Sequence, residues 1–228
     1  MSGERMEIAP LLQVGRGVTA LIGGGGKTTL LYTLAEELRS RGTVLLCTST
    51  RICRPEQYPV LTDAGAEAVR SALERYGAVC AGISRENGKL GAPELSFSAL
   101  AQLADYVIVE ADGAHMLPLK AHAPWEPVIP ENAEQTILVV GAGGFGHPIG
   151  EVCHRPELYA ALAGARAEDA VTPELAARVI TAEGLGDRVY INQVERPDNE
   201  SAALELARYL TCPVAAGSLC ERRYTCLR

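Results

Sequence analysis

No apolar run in this 228-residue chain approaches the ~20 residues that cross a bilayer, so no spanning helix is expected. No Lys/Arg run reaches five residues, and the formal net charge is −7. Sequence-independent binding to a nucleic-acid backbone calls for the opposite sign, so no nucleic-acid partner is expected. Met1–Pro10 lacks the apolar core of a signal peptide, and a cytoplasmic location is expected. The seven cysteines contain no Cys-x-x-Cys pair, and their odd number argues for reduced thiols. Cys47, Cys80 and Cys212 lie in or beside apolar runs and read as core filler. Cys53, Cys153, Cys220 and Cys226 fall in loops or near the end; they are candidate reactive thiols or, more simply, unreactive ones. The four histidines (His115, His122, His147, His154) fall in loops, match no familiar metal spacing and read as exposed or hydrogen-bonded. There is no internal repeat and no clear domain boundary, which leaves one domain over residues 1–228.

What is present is ordinary globular usage, 47% hydrophobic and 21% charged. Apolar runs alternate with segments of helical period, which predicts an α/β fold: a mostly parallel sheet with helices on both faces. The expected strands are Val18–Ile22, Val44–Thr48, Val107–Glu110, Thr136–Gly141, Arg188–Asn192 and Pro213–Ala216. The expected helices are Thr28–Ser40, Ala64–Tyr76, Phe97–Ala104, Pro156–Ala163, Pro173–Ala182 and Ser201–Leu210. Ala78–Ile83, Asn87-Gly88 and Lys89-Leu90 read as a small β-hairpin excursion. Residues 111–135 hold four prolines and little periodicity, a long loop at a strand end where function commonly resides.

The first apolar run leads into Gly23-Gly24-Gly25-Gly26-Lys27-Thr28-Thr29 and then a helical pattern. Strand, glycine loop, Lys-Thr and helix is the context of a phosphate-binding loop. Its glycines let backbone N–H groups turn toward phosphate oxygens, and the helix N-terminus adds partial positive charge. Lys27 would reach the β- and γ-phosphates, and the Thr28 hydroxyl would ligate Mg²⁺. The standard pattern asks for glycine where Leu21 stands. The variant loop of the signal-recognition-like P-loop class fits better, with Ile22 where its signature lysine sits. The bland alternative is a glycine-rich turn.

Glu110 and Asp112 close an apolar strand. Two residues apart, both would face the phosphates if extended geometry continued. One would hold Mg²⁺ and the other position an attacking water; the alternative is a solvated strand end. After the second strand, Ser49, Thr50 and Arg51 offer hydroxyls and a cation to phosphates, but Ser49 cannot act as a base. Asn192-Gln193-Val194-Glu195 resembles the Asn-Lys-x-Asp base-reading motif of GTP-binding proteins, with Asn192 and Glu195 as the base contacts; it also reads as an exposed polar loop. Leu117-Pro118-Leu119-Lys120 and Glu126-Pro127-Val128-Ile129-Pro130 read as a stiff binding lip that fixes Lys120 and Glu126. Gly141-Ala142-Gly143-Gly144-Phe145-Gly146 reads as a second phosphate contact or a hinge.

Together these segments resemble the YqeC family of P-loop accessory proteins. The resemblance rests on Gly23–Thr29, Thr48–Thr50, Glu110-Ala111-Asp112-Gly113, Pro118-Leu119-Lys120, Glu126–Pro130, His154-Arg155-Pro156-Glu157 and Asn192–Glu195. It implies a role in maturing a selenium-dependent molybdenum hydroxylase, within selenium cofactor biosynthesis. The residues themselves imply only binding of Mg²⁺ and ATP or GTP.

The leading expectation is a Mg-nucleotide-binding accessory protein that hydrolyses NTP slowly, with a small cofactor precursor and a molybdenum hydroxylase as partners and a homodimer as a possible assembly. One rival is an ATP-dependent kinase or nucleotidyltransferase whose lip holds a small acceptor. Another is a nucleotide-gated scaffold without catalysis. Phosphate release without acceptor, acceptor-dependent turnover, and binding without turnover separate the three.

Overall fold

The computed structural model describes residues 7–85 and 88–228. Asn87, in the expected hairpin turn, lies outside these. In chain order the elements are α1 (Ile8–Leu11), β1 (Gly17–Gly23), α2 (Lys27–Leu38), β2 (Val44–Thr48), β3 (Arg51–Cys53), β4 (Val60–Thr62), α3 (Ala66–Tyr76), β5 (Ala78–Ser84), β6 (Lys89–Gly91), α4 (Phe97–Ala101) and β7 (Tyr106–Glu110). They continue with β8 (Leu119–Lys120), β9 (Ala133–Gly141), α5 (Ile149–Val152), β10 (Cys153–His154), α6 (Pro156–Ala163), α7 (Pro173–Glu183), β11 (Arg188–Asn192), α8 (Pro197–Tyr209), β12 (Val214–Ser218) and β13 (Arg223–Cys226).

The main sheet runs β13-β12-β11-β9-β1-β7-β2-β5-β6-β3, with β4 also beside β5. From β12 to β5 every pairing is parallel. The edges are antiparallel: β13 on β12, and a ribbon of β6 and β3 on β5. This is the expected P-loop NTPase-like α/β fold; the β5–β6 pairing is the expected hairpin excursion, and β3, which the apolar pattern does not mark as a strand, extends it.

Both sheet faces are covered, which is why the strands read as unbroken apolar runs. On β1, Leu21 packs with Leu30 and Leu34 of α2. Its neighbours Ala20 and Ile22 point the other way, toward Ala176 of α7 and Leu206 of α8. Strand β1 is therefore central, and the loop leaving it emerges at the middle of the sheet's carboxyl edge, where open α/β sheets bind ligands.

Helix α8 begins four residues before the expected Ser201. Pro197 sits in its first turn, where a missing N–H costs nothing, and Asp198 and Glu200 complement the helix dipole. Helix α4 stops at Ala101, short of the expected Ala104. The proline-rich stretch is more ordered than its composition suggests. It contributes β8, which pairs in parallel with β10 through Leu119↔Cys153 and Lys120↔His154. Cys153 is therefore a buried strand residue and not a loop thiol, and burial pushes its thiol up to about 12.

Candidate functional site

The glycine loop is held in shape from below. Gly25 has φ +75, and a Cβ there would meet the Gly141 backbone at 2.4 Å. Gly26 has φ +125 and lies against the Asn192 side chain. Only glycine meets both demands. Three loop N–H groups bond to the protein: Gly23 N to Asp112 Oδ2 (2.9 Å), Gly24 N to the Val139 carbonyl (2.9 Å) and Gly25 N to the Leu117 carbonyl (3.1 Å). The donors left over are Gly26 and the first turn of α2, the N–H groups of Lys27, Thr28 and Thr29. They form a compact nest of N–H donors at a helix N-terminus, the arrangement in which backbone groups commonly receive anions.

Thr28 and Glu110 meet at this nest, Thr28 Oγ1 donating to Glu110 Oε2 at 2.8 Å. Burial pushes the Glu110 carboxyl up, opposed by the Lys27 charge and the Thr28 hydroxyl. A hydroxyl and a carboxylate side by side on a cleft wall are hard oxygen donors of the kind that hold Mg²⁺ together with phosphate oxygens. Among the described residues, no cluster of three or more His, Cys, Asp or Glu offers a metal a cage of its own.

Asp112 goes elsewhere. Strand geometry does not continue past Glu110, and Asp112 turns behind the loop, fully buried. Its Oδ1 lies 3.0 Å from Lys27 Nζ; its Oδ2 lies 3.3 Å from Lys120 Nζ and 2.8 Å from His122 Nε2. Burial alone would raise this carboxyl. The His122 hydrogen bond, the two ammonium charges and the Gly23 N–H outweigh it and hold it at about 2. His122 in turn bonds through Nδ1 to Glu183 at the end of α7 (2.8 Å). Burial lowers the His122 pKa, but the bonds to Asp112 and Glu183 prevail and raise it.

Lys27 also donates to the Gly23 carbonyl, so its ammonium is drawn in under the loop. Lys120 is likewise buried, donating to the Gly113 carbonyl and to Glu126 Oε2 (2.8 Å). Arg155 binds the other oxygen of Glu126 and covers the Trp125 ring at 5.2 Å. Burial favours a neutral Glu126, yet Arg155 and Lys120 hold it at about 2. The lip is thus anchored by a buried ionic chain running from Lys27 through Asp112, Lys120 and Glu126 to Arg155. Lys120, expected on the lip's binding surface, is placed behind the loop because its buried ammonium needs those acceptors.

A cleft of about 820 Å³ lies over the loop. Its walls include Gly25 to Thr29, Glu110, Thr50, Arg51, residues 113–117 and Gln193. Ser49 lies beside it, its hydroxyl donating to the Val128 carbonyl and pinning the lip (2.6 Å). Asn192 is buried, donating to the Gly25 carbonyl (2.8 Å) and accepting from Leu219 N (3.1 Å). It ties the loop to the end of β12. Glu195 is exposed and stands off the cleft wall. The Gly141 segment packs beneath the loop, with Gly143 N donating to Gln193 Oε1 (3.3 Å). Sequence reasoning missed the pairing of His122 with Asp112 and gave no signal for Glu183, which is distant in the chain and sits in an ordinary helical pattern.

A central parallel strand that hands a glycine loop to a helix, with a Thr–Glu pair at its head, defines a P-loop-type α/β protein. Residues 19–157 match the family model described as "YqeC protein". The chain belongs to the YqeC family. The "Uncharacterized protein YqeC" of Escherichia coli (strain K12) is 34% identical over 155 residues, covering 64% of this chain and 60% of that protein. The chain therefore matches less than two thirds of that relative's length. Among solved structures, signal recognition particle 54 kDa protein from Aeropyrum pernix K1 in complex with GDP aligns over 93% of this chain and 44% of its own, at 15% identity and a TM-score of 0.43.

Proposed function

We propose that this protein binds a Mg²⁺–nucleoside triphosphate, ATP or GTP, hydrolyses it slowly, and acts as an accessory factor in maturing a selenium-dependent molybdenum hydroxylase. The observation that carries the nucleotide reading is the Thr28–Glu110 contact beside the free N–H groups of Gly26 to Thr29. In this reading those N–H groups hold phosphate oxygens, and Thr28 and Glu110 hold Mg²⁺, which would offset phosphate charge. Lys27 swings from Asp112 toward the terminal phosphate. Thr50, in the turn after β2, and Arg51, at the start of β3, face the same phosphates. Asn192 keeps the loop in its binding shape. Slow turnover fits Ser49, a poor base bonded to the lip, and Asp112, whose low pKa and four cationic or hydrogen-bonding partners suit it to positioning Lys27. The client and cofactor-precursor parts of the reading rest on the family resemblance.

Calorimetry with non-hydrolysable ATP and GTP analogues, with and without Mg²⁺, tests it. Binding that strengthens with Mg²⁺, and loses that gain in Thr28→Val, supports the reading. Absence of binding to both analogues overturns it. Phosphate release followed with and without a client extract distinguishes a hydrolase from a scaffold.

A further inference from the structure

The cleft is walled on one side by a surface of which the nucleotide reading uses only Arg51. Strands β5, β6 and β3 form an antiparallel ribbon with the registers Ile83↔Gly91↔Arg51 and Ser84↔Leu90↔Ile52. The next rank is Arg85, Lys89 and Cys53: Arg85 N bonds the Lys89 carbonyl at 2.8 Å, and Cys53 pairs with Lys89. Side chains alternate along strands, so Ile52 and Leu90 go to the core, while Arg51, Arg85, Lys89 and Cys53 share the outer face. All four are exposed. Gly91 sits among them without a side chain, and a Cβ there would meet Arg85 Nε at 2.6 Å. The missing side chain leaves the Arg85 guanidinium room over Gly91, the residue that Arg51 pairs with on β3. Arg51, Cys53 and Lys89 line the same cleft as the glycine loop and Glu110.

Three cations on adjacent strands repel one another. None has an ion pair or side-chain hydrogen bond among the described residues. The chain has 28 acidic residues to 21 basic ones, so a cationic face of this density runs against its overall balance. An anion would relieve the repulsion, and guanidinium groups match the geometry of carboxylate and phosphate oxygens. Arg51 and Lys89 open onto the cleft of about 820 Å³, which is of small-molecule size and which Arg85 adjoins without lining it, and the net charge of −7 disfavours a nucleic-acid strand.

We propose that Arg51, Arg85 and Lys89 around Gly91 form a second binding site, for a small molecule bearing a phosphate or carboxylate group, held across the cleft from the glycine loop and beside the nucleotide's terminal phosphate. The proposal rests on the nucleotide reading only for the second ligand's neighbour. Arg51 bridges the two sites; Arg85 and Lys89 belong to the second alone. If the bound molecule is an acceptor, its anionic group anchors it and its reacting group faces Glu110 and Thr28.

The test titrates inorganic phosphate, sulfate and succinate into protein saturated with a non-hydrolysable Mg²⁺–nucleotide. The expected result is one oxyanion bound with nucleotide in place, weakened about tenfold by Arg85→Gln or Lys89→Gln, the scale of one lost charge-assisted bond. Preference among the three probes distinguishes a phosphate-bearing from a carboxylate-bearing ligand. The inference is overturned if no oxyanion binds the loaded protein, or if the Arg85→Gln/Lys89→Gln double variant binds it unchanged. It is also overturned if the double variant loses nucleotide affinity in parallel, because the cations would then serve the nucleotide's own phosphates. Should the protein bind no nucleotide, the proposed function fails by itself. Phosphate titrated into free wild type and the double variant then decides the ribbon site: loss of binding keeps it, and unchanged binding removes it.

Discussion

Lys27 Nζ and Asp112 Oδ1 lie 3.0 Å apart, both buried, directly under the glycine loop. A lysine read from the sequence as a phosphate contact is therefore also half of a buried ion pair. Lys27→Ala is expected to abolish nucleotide binding and to destabilise the fold as well. Removing one partner of a buried pair costs about 3–5 kcal/mol. Asp112 keeps Lys120, His122 and the Gly23 N–H, so a loss of about 1–3 kcal/mol is expected here. Urea unfolding beside calorimetry checks it; wild-type stability would show the pair to be dispensable.

Glu110 and Asp112 should separate cleanly. Glu110→Gln should leave stability within about 1 kcal/mol, because the amide still accepts from Thr28, and should reduce the Mg²⁺ dependence of nucleotide binding. Asp112→Asn strands two lysines and should cost about 3–5 kcal/mol. Equal effects of the two substitutions on both readouts would refute this division of labour.

Stability should depend on pH through His122. Its pKa is raised on folding by Asp112 and Glu183 against the opposing effect of burial. Its contribution is therefore fully present below the ordinary histidine pKa and is lost as pH rises through the higher folded-state value. Asp112 acts in the opposite sense: held at about 2, it contributes above the ordinary aspartate range and loses that contribution as pH falls toward 2. Chemical denaturation from pH 5.5 to 8.5 should show a downward slope that His122→Gln removes. A slope that persists in the variant assigns it to another group.

Asn192 and Glu195 should no longer behave alike. Asn192→Ala frees the Gly25 carbonyl and Leu219 N from a buried bond, and about tenfold weaker binding of both ATP and GTP is expected. Glu195→Ala, on an exposed residue off the cleft wall, should change neither affinity nor a modest base preference. A competition titration of GTP, ATP and XTP reads both, and a strong GTP preference erased by Glu195→Ala would restore Glu195 as a guanine contact.

Thiol reactivity should sort by burial. Cys53, Cys220 and Cys226 are exposed, while Cys47, Cys80 and Cys153 are buried. An aromatic disulfide reagent should modify the first three rapidly and the last three only after denaturant is added. Rapid labelling of Cys153 would contradict the β8–β10 pairing that covers it.

Much of the architecture was legible because each central strand is a short apolar run buried on both faces, bounded by turn chemistry. Val44–Thr48, Arg188–Asn192 and Pro156–Ala163 appear at the expected residues. The start of α8 was misplaced because its first turn, Pro197 to Glu200, is polar, and apolar periodicity begins only later. Strands β8 and β10 were invisible because two-residue strands carry no period; they exist through pairing with each other.

The sequence by itself determined the strand, the glycine loop, the helix, and Thr28 at their junction. These are local matters: positive φ at Gly25 and Gly26, a helix N-terminus with free N–H groups, and apolar period. Tertiary structure alone decided what the charged residues do. Glu110 and Asp112, two residues apart, part company because the chain turns after β7, sending one carboxylate to Thr28 and the other to Lys27, Lys120 and His122. Lys120 is drawn inward and Glu183 recruited from α7 because buried charges must find partners, and those partners come from distant segments that only the packed fold brings within 3 Å or so of one another.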